Sequence, residues 1–120
     1  MAKDLEIAML FDFYGGLLTE KQQSAIDQYY NQDLSLSEIA ENEGITRQGV
    51  RDAVKRAEAQ LWEMEQQLGL AARFRRMKRH VQDIGKAVGE IRRINGEGDA
   101  SAAIEAEAAK IAKLVQKLDD

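Results

Sequence analysis

Residues 46–56 read Thr46-Arg47-Gln48-Gly49-Val50-Arg51-Asp52-Ala53-Val54-Lys55-Arg56. On a helix, Val50, Ala53 and Val54 share one side and the charged residues share the other. Arginine and glutamine match the edges of guanine and adenine, and lysine holds phosphate. This stretch is therefore suited to nucleic-acid recognition through Thr46, Arg47, Gln48, Arg51, Lys55 and Arg56. Asp52 lies in the same face and opposes phosphate. The competing reading is a solvated face on a structural helix. A second basic set, Arg73, Arg75, Arg76, Lys78 and Arg79, surrounds Phe74 and Met77. It is suited to an RNA backbone or an acidic protein partner. It also reads as a solvated face that compensates acids elsewhere.

Other chemistry finds no support. The chain of 120 residues has no Cys and one His, His80. That leaves neither a disulfide framework nor a thiolate or histidine metal set. There is no paired nucleophile and base, and no phosphate-cradling glycine loop. The expectation is a protein that is not an enzyme and holds no cofactor or metal. No apolar run approaches ~20 residues, so no membrane span is expected. The N-terminus has no basic stretch followed by an apolar one, which points to the cytoplasm.

Charge is unevenly placed. Residues 1–46 carry two Lys and nine acids, a net of −7. Residues 47–94 carry twelve cations and six acids, a net of +6. Residues 95–120 return to −3, with three Lys and six acids. An acidic protein with a basic middle suggests a local anion-binding surface.

The elements that must position these side chains are all helices. Pro is absent, and the apolar residues recur at steps of three and four. A first helix over 5–14 turns Leu5, Ala8, Met9 and Phe11 inward and stops at Gly15-Gly16. Thr19 and Gln22 form a capping box for a helix from Glu20 to Asn31 that buries Ala25, Ile26 and Tyr29. Ser35 and Glu38 form another, opening a short helix through Asn42 with Leu36, Ile39 and Ala40 inward. Gly44 takes the tight turn, and Thr46 caps a helix carrying Val50, Ala53, Val54, Ala57, Leu61, Met64 and Leu68 to Gly69.

Residues 70–94 form a long basic helix with Leu70, Phe74, Met77, Val81, Ile84, Val88 and Ile91 along one heptad seam. Residues 95–99 are a loop in which Asp99 caps the next helix. A C-terminal helix over 100–118 aligns Ile104, Ala108, Ile111, Val115 and Leu118. The aromatic residues Phe11, Phe13, Tyr14, Tyr29, Tyr30 and Trp62 are expected in the core. Gly85 and Gly89 suit a close crossing with the last helix or a second subunit. The two seams are longer than one trihelical domain can cover. The expectation is that the last helix folds back on the 70–94 helix and that the chain forms a homodimer.

Residues 35–56 have the form of a helix-turn-helix. Small Ala40 permits a close crossing, Gly44 makes the turn, and Val50 locks the second helix onto the first. Ile39, Ile45 and Ala53 fill the space between. This leaves the outer face of the second helix open to a major groove.

The segments Leu18-Thr19-Glu20-Lys21-Gln22-Gln23, Ser35-Leu36-Ser37-Glu38-Ile39-Ala40, Gly44-Ile45-Thr46, Gly49-Val50-Arg51 and Lys55-Arg56-Ala57 resemble region 4 of sigma-70-type transcription factors. Leu10-Phe11-Asp12-Phe13-Tyr14, Leu17-Leu18-Thr19, Tyr29-Tyr30, Asp33-Leu34-Ser35-Leu36 and Arg47-Gln48-Gly49-Val50 are closer still to the YlxM family of small bacterial helix-turn-helix proteins. The resemblance covers about residues 5–94. It implies an all-α fold: a sigma-70 region 4-like trihelical unit followed by a long helix and a C-terminal helix. The domains expected are residues 1–69 and 70–120. The resemblance also implies a cytoplasmic bacterial protein whose gene lies beside that of the signal recognition particle GTPase. Its role would be to assist or regulate that targeting pathway. Its partners would be DNA or signal recognition particle RNA, with the particle's GTPase components.

Overall fold

The computed structural model describes residues 2–97 and 101–119, and every regular element among them is helical. Helix α1 spans Leu5–Tyr14, α2 Glu20–Ile26, α3 Leu36–Glu43, α4 Arg47–Leu68, α5 Leu70–Glu97 and α6 Ala102–Asp119. The chain forms two compact units, dividing after Ala72.

In the first unit α4 is the hub, packed against α1, α2 and α3. Local chemistry sets each helix start. Asp4 Oδ1 accepts from Glu6 N at 3.0 Å. Thr19 Oγ1 accepts from Gln22 N while Gln22 Oε1 accepts from Thr19 N. Ser35 and Glu38 repeat that reciprocal box, and Thr46 Oγ1 accepts from Gly49 N at 3.0 Å. Such caps satisfy N–H groups that have no partner within the helix. Gly44 and Gly69 close α3 and α4 in the left-handed region, at φ 67° and 63°. Side-chain-bearing residues rarely adopt that conformation.

The core holds Ile7, Leu10, Tyr14, Ile26, Ile39, Val50, Val54 and Leu61, among others. Expectation and structure differ in α1. Ile7, Leu10 and Tyr14 are buried, whereas Leu5 is 87% exposed and Phe11 is only partly covered. Apolar side chains occur nearly all round this helix, so composition does not select a stripe. Tyr14 does, through polar bonds. Its hydroxyl donates to Glu65 Oε1 at 2.6 Å and accepts from Leu70 N at 3.0 Å. Glu65 also accepts from Ala71 N and Ala72 N, so its carboxylate caps the start of α5. Burial, followed by the bond to Glu65, pushes the Tyr14 phenol above the usual tyrosine range.

Gly15 does not end α1 through a left-handed turn. Its φ is −55°, and the chain continues as a short 3-10 turn, Gly15–Leu17. A Cβ at Gly15 would lie 2.8 Å from the Phe11 ring, so glycine here makes room for the ring. The helix expected to end at Asn31 widens into a π-helical turn over Asp27–Asn31. There the Asp27 carboxylate accepts from Asn31 Nδ2 and Gln32 Nε2 at 2.9 and 2.8 Å, which holds its pKa below the usual value. Burial pushes the Tyr30 phenol up; its hydroxyl donates to Glu58 Oε1 at 2.8 Å. Phe13, Trp62 and Leu68, expected inside, are exposed.

In the second unit α6 folds back along α5. Asn95 Oδ1 accepts from Ser101 N, and Asn95 Nδ2 donates to Ser101 O, both at 3.0 Å. Arg92 Nε donates to Glu105 Oε1 at 2.8 Å. A Cβ on Gly85 would meet Val115 Cγ1 at 3.3 Å, so the close crossing occurs at Gly85; nothing approaches Gly89. Two details depart from expectation. Residues 95–97, read as loop, continue α5, which Arg93 ties down by ion pairs to Glu90 and Glu97. Asp99, the expected cap, lies outside the described residues. Ser101 caps α6 instead, accepting from Ile104 N and Glu105 N.

Candidate nucleic-acid interface

The helix-turn-helix geometry rests on α3 crossing α4. Ile39 and Val50 are essentially fully buried where the helices meet, and Ala40 is 8% exposed. Ile45, expected between them, is 48% exposed. Its side chain lies over Gly49, 3.6 Å from where a Cβ would stand. The turn is tightened by Ile45 N donating to Ala40 O at 3.1 Å.

A polar network behind the motif was not apparent from the sequence. Gln28 is buried and donates to Ser24 Oγ at 3.0 Å and Glu43 Oε1 at 2.6 Å. Its Oε1 accepts from Asn42 Nδ2 at 3.0 Å, and Ser24 Oγ donates to Glu43 at 2.8 Å. These bonds tie the end of α3 to α2 and the π-helical turn that follows it, and so fix the angle at which the turn delivers α4. Misplacing a partner would strand a buried amide, a cost of about 1–3 kcal/mol. The available signal was phase alone: Gln28 lies three residues after Ala25, on the buried side.

On α4 the structure exposes Thr46, Arg47, Gln48, Arg51, Asp52, Lys55 and Arg56 together. Arg47, Arg51 and Lys55 step by four along one face, covering about 12 Å of helix axis. Among the described residues Arg47, Arg51, Lys55 and Arg56 make no ion pair or hydrogen bond. Among the described residues some cations elsewhere are engaged, Lys3 with Asp33, Arg92 with Glu105, Arg93 with Glu90 and Glu97, and Lys110 with Glu107, whereas Lys21, Arg73, Arg76, Arg79, Lys86, Lys113 and Lys117 make no ion pair either. Gln48 Nε2 donates to Asp52 Oδ1 at 3.0 Å. That bond gives the one acid of the face a local partner, and Gln48 must leave it to present its amide donor to a base. No acid occupies the first turn of α4, so the helix dipole adds positive potential there.

The second basic set is also solvent-facing. Arg73, Arg75, Arg76, Lys78, Arg79 and His80 are all exposed on α5. Lys78 Nζ sits 5.7 Å from the Phe74 ring centroid. Among the described residues no group of His, Asp or Glu is arranged to hold a metal, and no helix is long and apolar enough to cross a membrane.

Short capped helices, a left-handed glycine turn and an exposed second helix define a helix-turn-helix protein. Residues 1–96 match the family model described as "Putative helix-turn-helix protein, YlxM / p13 like". The chain belongs to this family, UPF0122. A UPF0122 protein of Symbiobacterium thermophilum is 48% identical over 87 residues, covering 72% of this chain and 81% of that protein. One from Desulforamulus reducens is 38% identical over 117 residues, 96% of this chain and 95% of its own length. A third, from Acetivibrio thermocellus, is 47% identical over 91 residues, 76% and 78% of the two chains.

Proposed function

We propose that this is a non-enzymatic, cytoplasmic nucleic-acid-binding protein that reads DNA or RNA with the outer face of α4. The contacts assigned are Thr46, Arg47, Gln48, Arg51, Lys55 and Arg56. The observation that carries the reading is the uncompensated cation row on the second helix of the motif. This row has no partner among the described residues although the chain is rich in acids; Arg73, Arg76 and Arg79 on α5 are unpaired too, so what singles out the α4 row is its place on the exposed face of the motif's second helix. The binding unit is residues 1–69, and residues 70–120 are its helical extension. The long seams of α5 and α6 support a homodimer.

The resemblance to YlxM proteins supports a role in assisting or regulating the signal recognition particle pathway, with its RNA as one target. A second reading makes the motif a scaffold and α5 the docking element. The exposed Arg73, Arg75, Arg76, Lys78 and Arg79 favour it, with an acidic GTPase component of the particle as partner. The test is fluorescence anisotropy with labelled duplex DNA and signal recognition particle RNA. At about 50 and about 200 mM salt, phosphate-mediated binding should weaken steeply as salt rises. No binding to either at low salt would remove the nucleic-acid reading. Binding to a purified GTPase component alone, lost on replacing Arg76 and Arg79 with Ala, would establish the second.

A further inference from the structure

The heptad seam of α5 is covered unevenly. Val81 and Val88, at alternate seam positions, are 4% exposed, whereas Met77, Ile84 and Ile91 are 46–48% exposed. Helix α6 repeats the pattern: Ala108 is 3% exposed, and Ile104, Ile111 and Leu118 are 40–61% exposed. Folding α6 onto α5 therefore closes one half of each seam and leaves the other half open along both helices. The open halves are level with each other. The Gly85–Val115 contact, followed four residues along each helix, sets Gly89 beside Ile111, and Ile91, Ile104 and Ile111 line one surface hollow. Those positions fall within the strips 77–94 and 104–118. The hairpin thus presents one continuous apolar face, the shape of half a four-helix bundle.

We propose that a second copy of the chain covers this face, with the two hairpins antiparallel. This rests on the homodimer reading above and adds its interface and orientation. Charge selects both occupant and direction. Arg73, Arg75, Arg76, Lys78 and Arg79, with Lys117, outnumber Asp83 and Asp119 at the far end of the hairpin. Residues 90–110 hold five acids against Arg92, Arg93 and Lys110, a net of −2, and Glu90, Glu97, Glu105 and Glu107 each pair with one of those cations. Two copies with their turns at opposite ends place each basic end beside an acidic one; turns at the same end would stack the basic clusters. The face is self-complementary under a two-fold axis near Ile111, as an isologous interface requires.

The test uses the full chain, which lacks Cys. Sedimentation at tens of micromolar should show a dimer. The Ile84→Lys, Ile111→Lys double variant should retain helical circular dichroism while its dimer dissociation constant rises at least hundredfold. A wild-type monomer, whether the face is covered by the chain's own first unit or by a different protein, overturns this proposal and the homodimer reading together. A wild-type dimer that the double variant leaves intact overturns only the interface. Cysteine cross-linking gives a reading that does not depend on the double variant folding. A mixture of Ile104→Cys and Leu118→Cys chains should form mixed disulfide dimers, with Ile104→Cys alone linking poorly. Efficient linking of Ile104→Cys to itself, with no mixed product, would overturn the antiparallel orientation.

Discussion

The two units use the same helical alphabet differently. In the first, four helices surround one core, and side chains such as Ile7, Ile26, Ile39, Val54 and Leu61 are fully buried. In the second, two long helices cover each other along one edge, and Ile84, Ile91, Ile104 and Leu118 remain about half exposed. A trihelical unit with a fourth helix closes on itself; a hairpin has one face too many for its own chain. The first unit holds a helix at a fixed angle, and the second leaves an apolar face exposed.

Core truncation should break the comparison most sharply. Leu61→Ala removes a fully buried side chain from the hub helix and should cost about 2–5 kcal/mol, independent of protein concentration. Under the proposed dimer, Ile84→Ala should cost less in dilute protein and more as concentration rises, because the second copy would bury it. Denaturant titrations at two concentrations would show this. Equal, concentration-independent losses would make the contrast between the units false.

The junction that starts α5 comes next. Glu65→Ala leaves Ala71 N, Ala72 N and the Tyr14 hydroxyl without their acceptor. A loss of about 1–3 kcal/mol is expected in thermal melts. Tyr14→Phe should cost about 1 kcal/mol, because Glu65 still caps the helix. An unchanged melting temperature for Glu65→Ala would show that α5 needs no help from α4.

Alkaline titration sharpens the same point. The folded Tyr14 and Tyr30 phenols titrate above their unfolded value. Their contribution is intact below pH ~10 and is lost as pH rises above it. Tyr14→Phe should flatten the loss of stability above that pH, leaving the share of Tyr30. An identical alkaline slope in the variant would contradict the upward shift that burial, followed by the bond to Glu65, gives Tyr14. The smallest expected effect is a gain. Nothing approaches a Cβ at Gly89, so Gly89→Ala should stabilise by up to ~1 kcal/mol, and Gly85→Ala by less because Val115 must yield.

Legibility in the sequence follows the same division. Ends defined by local chemistry were readable: Thr19 with Gln22, Ser35 with Glu38, Thr46, Gly44 and Gly69 all act where their types imply. What depended on tertiary partners was not readable. The phase of α1 is decided by Tyr14 meeting Glu65, fifty-one residues away. The π-helical turn and the Gln28 network depend on side chains meeting across helices. Asn95, Gly96 and Glu97 look like a loop by composition but stay helical, held by Arg93 and by the Asn95 bonds to Ser101. The α4 cation row was legible as a surface. Its lack of partners became visible only once every nearby acid had been placed.

The central claim is that this row contacts nucleic acid. The direct measurement is binding of short duplex DNA and signal recognition particle RNA to the wild type, to an Arg47→Ala, Arg51→Ala variant, and to an Arg76→Ala, Arg79→Ala variant. Both pairs are exposed, and alanine favours helix, so each variant should keep its helical signal. The α4 pair should weaken binding several-fold to hundreds-fold, at ~1–3 kcal/mol per base contact and less per phosphate, while the α5 pair changes it less. Unchanged binding by the α4 variant to every nucleic acid tested, with loss in the α5 variant, would contradict it and move the interface to α5.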